Sequence, residues 1–388
     1  MNDQSLQSGS RAVGLLVIGL AGANGGALLA ALDRLRNQVG DVGYGISSLP
    51  VFKQSQFPSA AELVVAGWDV RNAAGQELEV GSVTTGLWTE ADTALGDETP
   101  ESPTWRSIDE AADYVAGQIH DFKRGHSLQR VIVLNMSSPA RRLGRPLADW
   151  SEHEVLKASP AQLPSAIAYA LGAVRAGASF VDFTPSETLE WSALWRMAEH
   201  AGVQLAGRDG STGQTFLKAL IASALEMRGL HVASWYSTNI LGNRDGAVLM
   251  LPGVDVTKQA DKAHAIESMT GIAKGEHLVD IRYVAELGDF KEAWDSVVAR
   301  DFLGNRVELR LNWKAEDSPL AAQLALDLVR MVAAGFGHHS GLRRDLAIYF
   351  KHPIGDVVPR SPMEHLNELL AANGHLLREG ATRRDLPW

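Results

Sequence analysis

Two lysines four residues apart, Lys258 and Lys262, are the most suggestive pair in this 388-residue chain. Thr257 can cap a helix carrying both, and positions i and i+4 share one helix face. Two ammonium groups there repel each other. Desolvation of that face would bring both pKa values down toward useful acid–base range, whereas a bound phosphate would hold both amines charged. A solvated basic face explains the spacing equally well. Lysine is used sparingly, however: 10 of the 36 basic residues are Lys and 26 are Arg, and only lysine can give up a proton. The neighbours His338 and His339 could suggest a metal, but adjacent helical residues do not face each other and no carboxylate partner is obvious. No metal site is expected.

A second chemical feature lies near the N-terminus. The spacing Gly19-x-Ala21-x-x-Asn24-Gly25 is a near relative of the dinucleotide fingerprint. Small residues there let the backbone approach a pyrophosphate, and a following helix offers free N–H groups and partial positive charge. Gly19, Gly22, Ala23, Asn24 and Gly25 are therefore candidate cofactor contacts, although such turns also serve as plain packing turns. Asp69, after the apolar run Leu63–Ala66, could accept hydrogen bonds from an adenosine ribose, or simply close a turn. It lies further on than the usual ~20 residues, so an insertion must separate the two.

The elements that would position these groups alternate between strand and helix. Gly14–Ile18 reads as a buried strand, Gly19–Gly26 as a tight loop and Ala27–Leu35 as a helix. Residues 36–62 and 73–105 read as long loops or edge excursions. A helix opens at Ser107 and runs to about Lys123, followed by a strand at Arg130–Asn135. That strand ends in Asn135-Met136-Ser137-Ser138, polar groups at the C-terminal end where α/β sheets bind ligands. Ser159-Pro160 signals a helix to about Gly177. Strands follow at Ser179–Phe183 and Val203–Ala206, with a helix between them that ends near Gly202. The polar loop Gly207–Thr215 opens a helix to Arg228. Strands are expected at 231–237, 278–286 and 306–312, with Asp289 as an N-cap and Glu316–Pro319 as a capped helix start. This alternation predicts an α/β fold with a doubly wound parallel sheet.

Composition narrows the classes. The chain is 45% hydrophobic and 21% charged, which is globular, and its length suggests two domains. A net charge of −10 without a basic run argues against nucleic-acid binding. The uncharged stretch 12–32 is interrupted by glycines and Asn24, which argues against a membrane span. With no cysteine, thiolate nucleophiles, disulfides and zinc–thiolate sites are excluded, and a cytoplasmic location is expected.

Taken together, the loops resemble the myo-inositol-1-phosphate synthase family in its shorter bacterial and archaeal form, from about residue 12 to 355. The family pattern Gly-x-Gly-Gly-Asn-Asn-Gly is similar to Gly19–Gly25, and Gly-x-Asp-x-x-Ser/Thr-Gly-Gln-Thr to Gly207–Thr215. Leu-Gly-Asn-x-Asp-Gly matches Leu241–Gly246, Gly-Asp-x-Lys matches Gly288–Lys291, Glu-Asp-Ser-x-Leu-Ala matches Glu316–Ala321, and Lys-x-Pro matches Lys351–Pro353.

The resemblance implies a Rossmann-like NAD-binding domain at 10–214 and 316–388, and an inserted catalytic and oligomerisation domain at 215–315. It implies NAD as cofactor, a sugar phosphate as substrate and a homotetramer. The implied reaction is redox-neutral. The C5 hydroxyl of glucose 6-phosphate is oxidised, the ketone acidifies C6–H, the enolate attacks the C1 aldehyde, and the ring ketone is reduced again.

The implied catalytic set is Lys258, Lys262, Lys291 and Lys351 with Asp209 and Asp289. Lys258 would shuttle the proton at the oxidised carbon, Lys291 and Lys262 would stabilise enolate and phosphate charge, and Lys351 would polarise the aldehyde oxygen. Asn243, Asp245 and Asp317 would orient lysines or the nicotinamide. Asn135, Ser137, Asp182, Thr212 and Ser318 complete the expected cofactor contacts.

Ala21, Ala23 and Asp182 depart from the family pattern, as does the stretch 252–257, which lacks a basic residue. They leave room for fructose 6-phosphate closed to a five-membered ring. A non-catalytic NAD sensor and a plain dehydrogenase are the other readings.

Overall fold

The structure, a computed structural model, describes residues 12–37, 43–69, 77–78, 81–85, 105–138, 140, 143–159, 162–243, 246–247, 276–355 and 361–381. The chain divides into two compact units. One comprises Met1–Gly210, Ala322–Gly355 and Ala372–Trp388, the other Ser211–Ala321 and Asp356–Ala371.

The first unit is built on strand β1 (Val13–Ile18), helix α1 (Ala23–Asn37), β2 (Val64–Asp69), β3 (Glu77–Leu78), β4 (Gly81–Thr85), α2 (Ile108–Gly125) and β5 (Arg130–Asn135). It continues through α3 (Glu152–Lys157), α4 (Ser165–Arg175), β6 (Ser179–Asp182), α5 (Ser192–His200) and β7 (Gln204–Gly207). The strands form an eight-membered sheet with β12 (Gly341–Leu342) at one edge, in the order β12-β7-β6-β5-β1-β2-β4-β3, parallel except for β3. Without the two edge strands this is the doubly wound dinucleotide-binding order, and it reverses between β1 and β5. The expected fold class is borne out. Every residue of β1 is buried, as expected of a central parallel strand covered on both faces.

One sequence expectation needs correction here. The helix expected from Ser159 begins at Ser165. Ser159 and Gln162 instead close a turn of their own, with the Gln162 amide on the Ser159 carbonyl (2.9 Å) and the Gln162 side chain accepting from the Ser159 amide (2.8 Å). A short helix, α3, precedes that turn, fixed by a capping box in which Ser151 and Glu154 exchange hydrogen bonds. The segment 43–63, within the stretch 36–62 read as a long loop or edge excursion, is a loop of successive single turns that buries Val51, Phe52, Phe57 and Leu63.

The second unit contains α6 (Gln214–Met227) and four strands, β8 (His231–Leu241), β9 (His277–Tyr283), β10 (Phe290–Arg300) and β11 (Arg306–Glu316), in the order β11-β10-β8-β9. β8 extends to Leu241, beyond the 231–237 read from the sequence, and strand β10 follows Asp289, where the sequence reading places a helix cap. The chain then enters α7 (Asp317–Ala334), and α8 (Pro362–Ala372) follows later. No described helix is long and apolar enough to cross a membrane.

Candidate active site

The glycine loop connects β1 to α1 at the point where the strand order reverses. Gly19 has a φ of +83°, and a Cβ there would sit 2.9 Å from the Ser137 Cα. A Cβ on Gly25 would meet the Leu20 and Gly19 carbonyl oxygens at 2.4 and 2.5 Å. The backbone is thus folded as tightly as a close-approach loop requires. The helix starts at Ala23 rather than at Ala27, so Ala23, Asn24 and Gly25 form its first turn, whose amides lack intrahelical acceptors. Asp69, buried at the end of β2, accepts from the Ala21 amide through Oδ2 (3.0 Å). A Cβ-excluding cradle, an open helix start and a buried carboxylate beside the loop fit a dinucleotide pyrophosphate and ribose.

Asn135 and Asp182 end the neighbouring strands β5 and β6, where the Asn135 amide donates to Asp182 Oδ1 (3.1 Å). The same oxygen accepts from the Thr184 amide (3.0 Å) and hydroxyl (2.7 Å). The Ser137 hydroxyl donates to Asn135 Oδ1 (2.7 Å). Asp182 is fully buried, and its Oδ2 has no hydrogen-bond partner among the described residues. Burial pushes its carboxyl up to about 6, against the opposing hydrogen bonds from Thr184.

Asp209 and Lys351 meet although far apart in sequence. The Lys351 amide donates to the Asp209 carbonyl (2.7 Å) and the His352 amide to the Arg208 carbonyl (3.3 Å). This backbone pairing sets the Lys351 ammonium 2.7 Å from Asp209 Oδ1. Asp209 takes a left-handed φ of 61°, which aspartate tolerates better than most residues, and its amide donates to the Thr184 carbonyl (2.9 Å). The Asp182 and Asp209 groups therefore share Thr184 as a common support.

In the second unit, the loop after β8 and the loop before β10 lie side by side. The Gly242 amide donates to the Phe290 carbonyl (3.3 Å), and a Cβ on Gly242 would collide with the Gly288 backbone at 2.5 Å. Asn243 Oδ1 accepts from the Gly246 amide (3.1 Å), closing its turn. Asp289 does not cap a helix of its own, because strand β10 follows it. Its carboxylate accepts from the Ser318 amide (3.0 Å) and hydroxyl (2.7 Å) at the start of α7. Thr212 donates to Asp317 Oδ1 (3.4 Å). Lys291 is half-buried on β10. Lys258, Lys262 and Asp245 lie outside the described residues.

His338 and His339 are not on a helix. The His338 ring stacks on His375 with centroids 3.9 Å apart, and His339 Nε2 is 3.1 Å from Asn373 Oδ1. Among the described residues no group of three or more His, Asp or Glu is arranged for a metal.

Sequence reasoning missed a buried ion pair. Lys218 on α6 lies 3.2 Å from Asp295 on β10, with both side chains more than nine-tenths buried. Its only sequence signal was that lysine is scarce.

Residues 213–318 match the family model for myo-inositol-1-phosphate synthase. The resemblance read from the motifs is borne out: this chain is similar to the inositol-phosphate synthases. Inositol-3-phosphate synthase 1 of Bacteroides thetaiotaomicron is 33% identical over 266 residues, which cover 64% of this chain and 60% of that protein. The enzyme of Spirodela polyrhiza is 28% identical over 63% of this chain and 50% of its own length. The match thus spans between half and three-fifths of these synthases. The fold is also that of solved inositol-phosphate synthase structures. One from Caenorhabditis elegans superposes with a TM-score of 0.77 at 21% identity, over 96% of this chain and 88% of that one. A myo-inositol-1-phosphate synthase-related protein from Thermotoga maritima superposes with a TM-score of 0.74 at 21% identity, over 95% and 100%.

Proposed function

We propose that this chain is an NAD-dependent cyclising enzyme that converts a hexose 6-phosphate, glucose 6-phosphate, to a cyclitol phosphate, myo-inositol 1-phosphate. The carrying observation is the family match over 213–318, because that segment bears Thr215, Asn243, Lys258, Lys262, Lys291 and Asp317. The glycine cradle, Asp69, Asn135 and Ser137 are the residues that would hold NAD. Bound there, NAD would supply a hydride acceptor that returns the hydride within the same cycle, so no redox equivalent is consumed.

The chain's own groups account for the rest. Oxidation at C5 requires a base for the hydroxyl proton, and Lys258 is assigned to that transfer. Lys291 and Lys262 provide positive charge where the enolate oxygen and the phosphate carry negative charge. Lys351, held by Asp209, polarises the C1 aldehyde oxygen so that the enolate carbon can attack it. The start of α6 supports phosphate binding: Gly213 leaves the first-turn amides without a side-chain cap, and such amides favour anions. No step needs a side-chain nucleophile, in keeping with a chain that has no cysteine.

A homo-oligomer, a tetramer in the family pattern, is part of the proposal. The outward face of the second unit's sheet supports it: Tyr236, Leu278 and Trp294 project there, 45%, 55% and 52% exposed. Tyr236 and Leu278 are direct register partners, so the apolar surface is contiguous, as at protein interfaces. A reducing cytoplasm suits the composition.

The test is to feed glucose 6-phosphate and fructose 6-phosphate separately with catalytic NAD. A non-reducing isomeric phosphate from glucose 6-phosphate supports the reading. Product only from fructose 6-phosphate would move the assignment to a five-membered ring. Stoichiometric NADH would indicate a plain dehydrogenase, and NAD binding without turnover a sensor.

A further inference from the structure

The buried pair Lys218–Asp295 lies on the inner face of the second unit's sheet. Lys218 Nζ donates to Ser237 Oγ (2.5 Å) and lies 3.2 Å from Asp295 Oδ1. Asp295 also accepts from the Trp235 indole (2.8 Å), from the Gln214 amide (3.4 Å) and from Ser237. Lys218 is 7% exposed and Asp295 6%. Stability does not explain the pair, because well-packed apolar residues are as good or better at replacing a buried ion pair.

What shares the face is informative. Along β10, Lys291, Ala293 and Asp295 point the same way, as alternate residues do. Across the ladder, Ala293 pairs with Asn239 and Asp295 with Ser237. Asn239 therefore sits between the ion pair and Lys291. It is 1% exposed, and its Oδ1 has no hydrogen-bond partner among the described residues. An inward turn of the Lys291 side chain would find this carbonyl, one same-face position along the ladder, with the attraction of the Asp295 carboxylate one position further on.

We propose that Lys218 is a positioning residue for Lys291: it neutralises Asp295 and repels the second ammonium, so that the Lys291 amine, at the outer end of the same face, does not fold inward along it and stays available to substrate. This rests on reading Lys291 as a substrate-facing cation. The titration behaviour agrees with the geometry. Burial holds the Lys218 amine below its ordinary value against the pull of Asp295, and the Lys291 charge pushes the same way. Burial alone would raise Asp295, but the Lys218 charge and its hydrogen bonds bring it below the ordinary carboxylate value. The Lys291 charge thus acts on Lys218, while the carboxylate answers to Lys218.

The test uses the intact chain and trace acetylation with acetic anhydride, mapped by mass spectrometry, with exposed Lys314 as internal reference. In Lys218→Met, the reactivity of Lys291 relative to Lys314 should fall several-fold, because Asn239 now holds its amine under the attraction of the unneutralised Asp295. Lys218→Gln, which keeps a donor for Ser237, should do the same if the Met variant does not fold. Adding Asp295→Asn should restore it. In turnover of glucose 6-phosphate, kcat should fall about a hundredfold in the single variant with KM near wild type, the scale of one lost charge-stabilising donor, and recover in the double variant. A purely structural pair would lower thermal stability and leave the Lys291 reactivity ratio and the kcat of the folded fraction unchanged, which would overturn the proposal. So would a loss that persists in the double variant. The acetylation pattern needs no turnover: the expected pattern in a chain that converts no sugar phosphate would uphold the positioning role and reject the proposed function.

Discussion

Asp289 holds the start of α7 from across the second unit: one carboxylate oxygen takes the Ser318 amide at 3.0 Å and the other its hydroxyl at 2.7 Å. The Asp289 carbonyl accepts from the Asp317 amide (3.1 Å) as well. Gly288–Lys291 and Glu316–Ala321, separate motifs in the sequence, are thereby one structural object. Helix starts have unsatisfied amides, and a carboxylate there also complements the helix dipole. Asp289→Ala should therefore cost about 1–2 kcal/mol of stability, read by urea denaturation, with Asp289→Asn losing less. Wild-type stability in the alanine variant together with abolished turnover would assign Asp289 to chemistry instead of to capping.

Lys351 and Asp209 should behave as one unit. Removal of either, by Lys351→Ala or Asp209→Asn, is expected to lower kcat about a hundredfold if the ammonium stabilises a developing oxyanion. The double variant should be little worse than either single one, a coupling of about 2.5 kcal/mol, within the range contacting pairs show. Additive losses in that cycle would mean that the 2.7 Å contact does not carry the effect.

Asp182 predicts a pH signature in stability. Its carboxyl titrates at about 6 in the folded chain against an ordinary value of 3.8, because of burial. Below pH 4 the group is protonated in both states and burial costs nothing. Between about 4 and 6 the folded state keeps a proton that the unfolded state has released, so stability falls as pH rises through that window. Above 6 the full cost applies, at most about 3 kcal/mol for two pKa units. Asp182→Asn removes this dependence. The variant's thermal midpoint relative to wild type should rise between pH 4 and pH 8, and a difference that stays constant across that range would contradict the assignment.

The exposed sheet face makes a prediction about assembly. Trp294→Glu places a charge among Tyr236, Leu278 and their neighbours, and it should lower the mass seen by sedimentation velocity. An unchanged mass, or a wild-type chain that is already monomeric, would remove this face from the oligomer.

Legibility followed the range of the interactions. β1, its glycine loop and β5 stand out in the sequence because a central parallel strand is an unbroken apolar run ending in small or polar residues. The Gly207–Thr215 and Glu316–Ala321 motifs were visible for the same reason, being contiguous. What stayed hidden was long-range. Asp289 looked like a local cap, since nothing in the sequence shows Ser318 folding back beside it. Lys218 and Asp295 each sit in an ordinary amphipathic pattern, and only the packing of α6 on β8 and β10 makes them partners. Ser159 reads as a helix cap, yet Gln162 closes a turn on its amide and α4 starts only at Ser165. Ser151–Glu154 is a readable capping signal, but the helix it opens is only 6 residues long and too short to show a period.

The central claim is redox-neutral cyclisation, and product NMR tests it most directly. The purified chain is incubated with 13C-labelled glucose 6-phosphate and a catalytic amount of NAD, with absorbance at 340 nm followed in parallel. The account predicts loss of the anomeric carbon signal, appearance of an inositol phosphate spectrum and no net NADH. An anomeric signal that persists at long times, or NADH that accumulates in step with substrate loss, would contradict it.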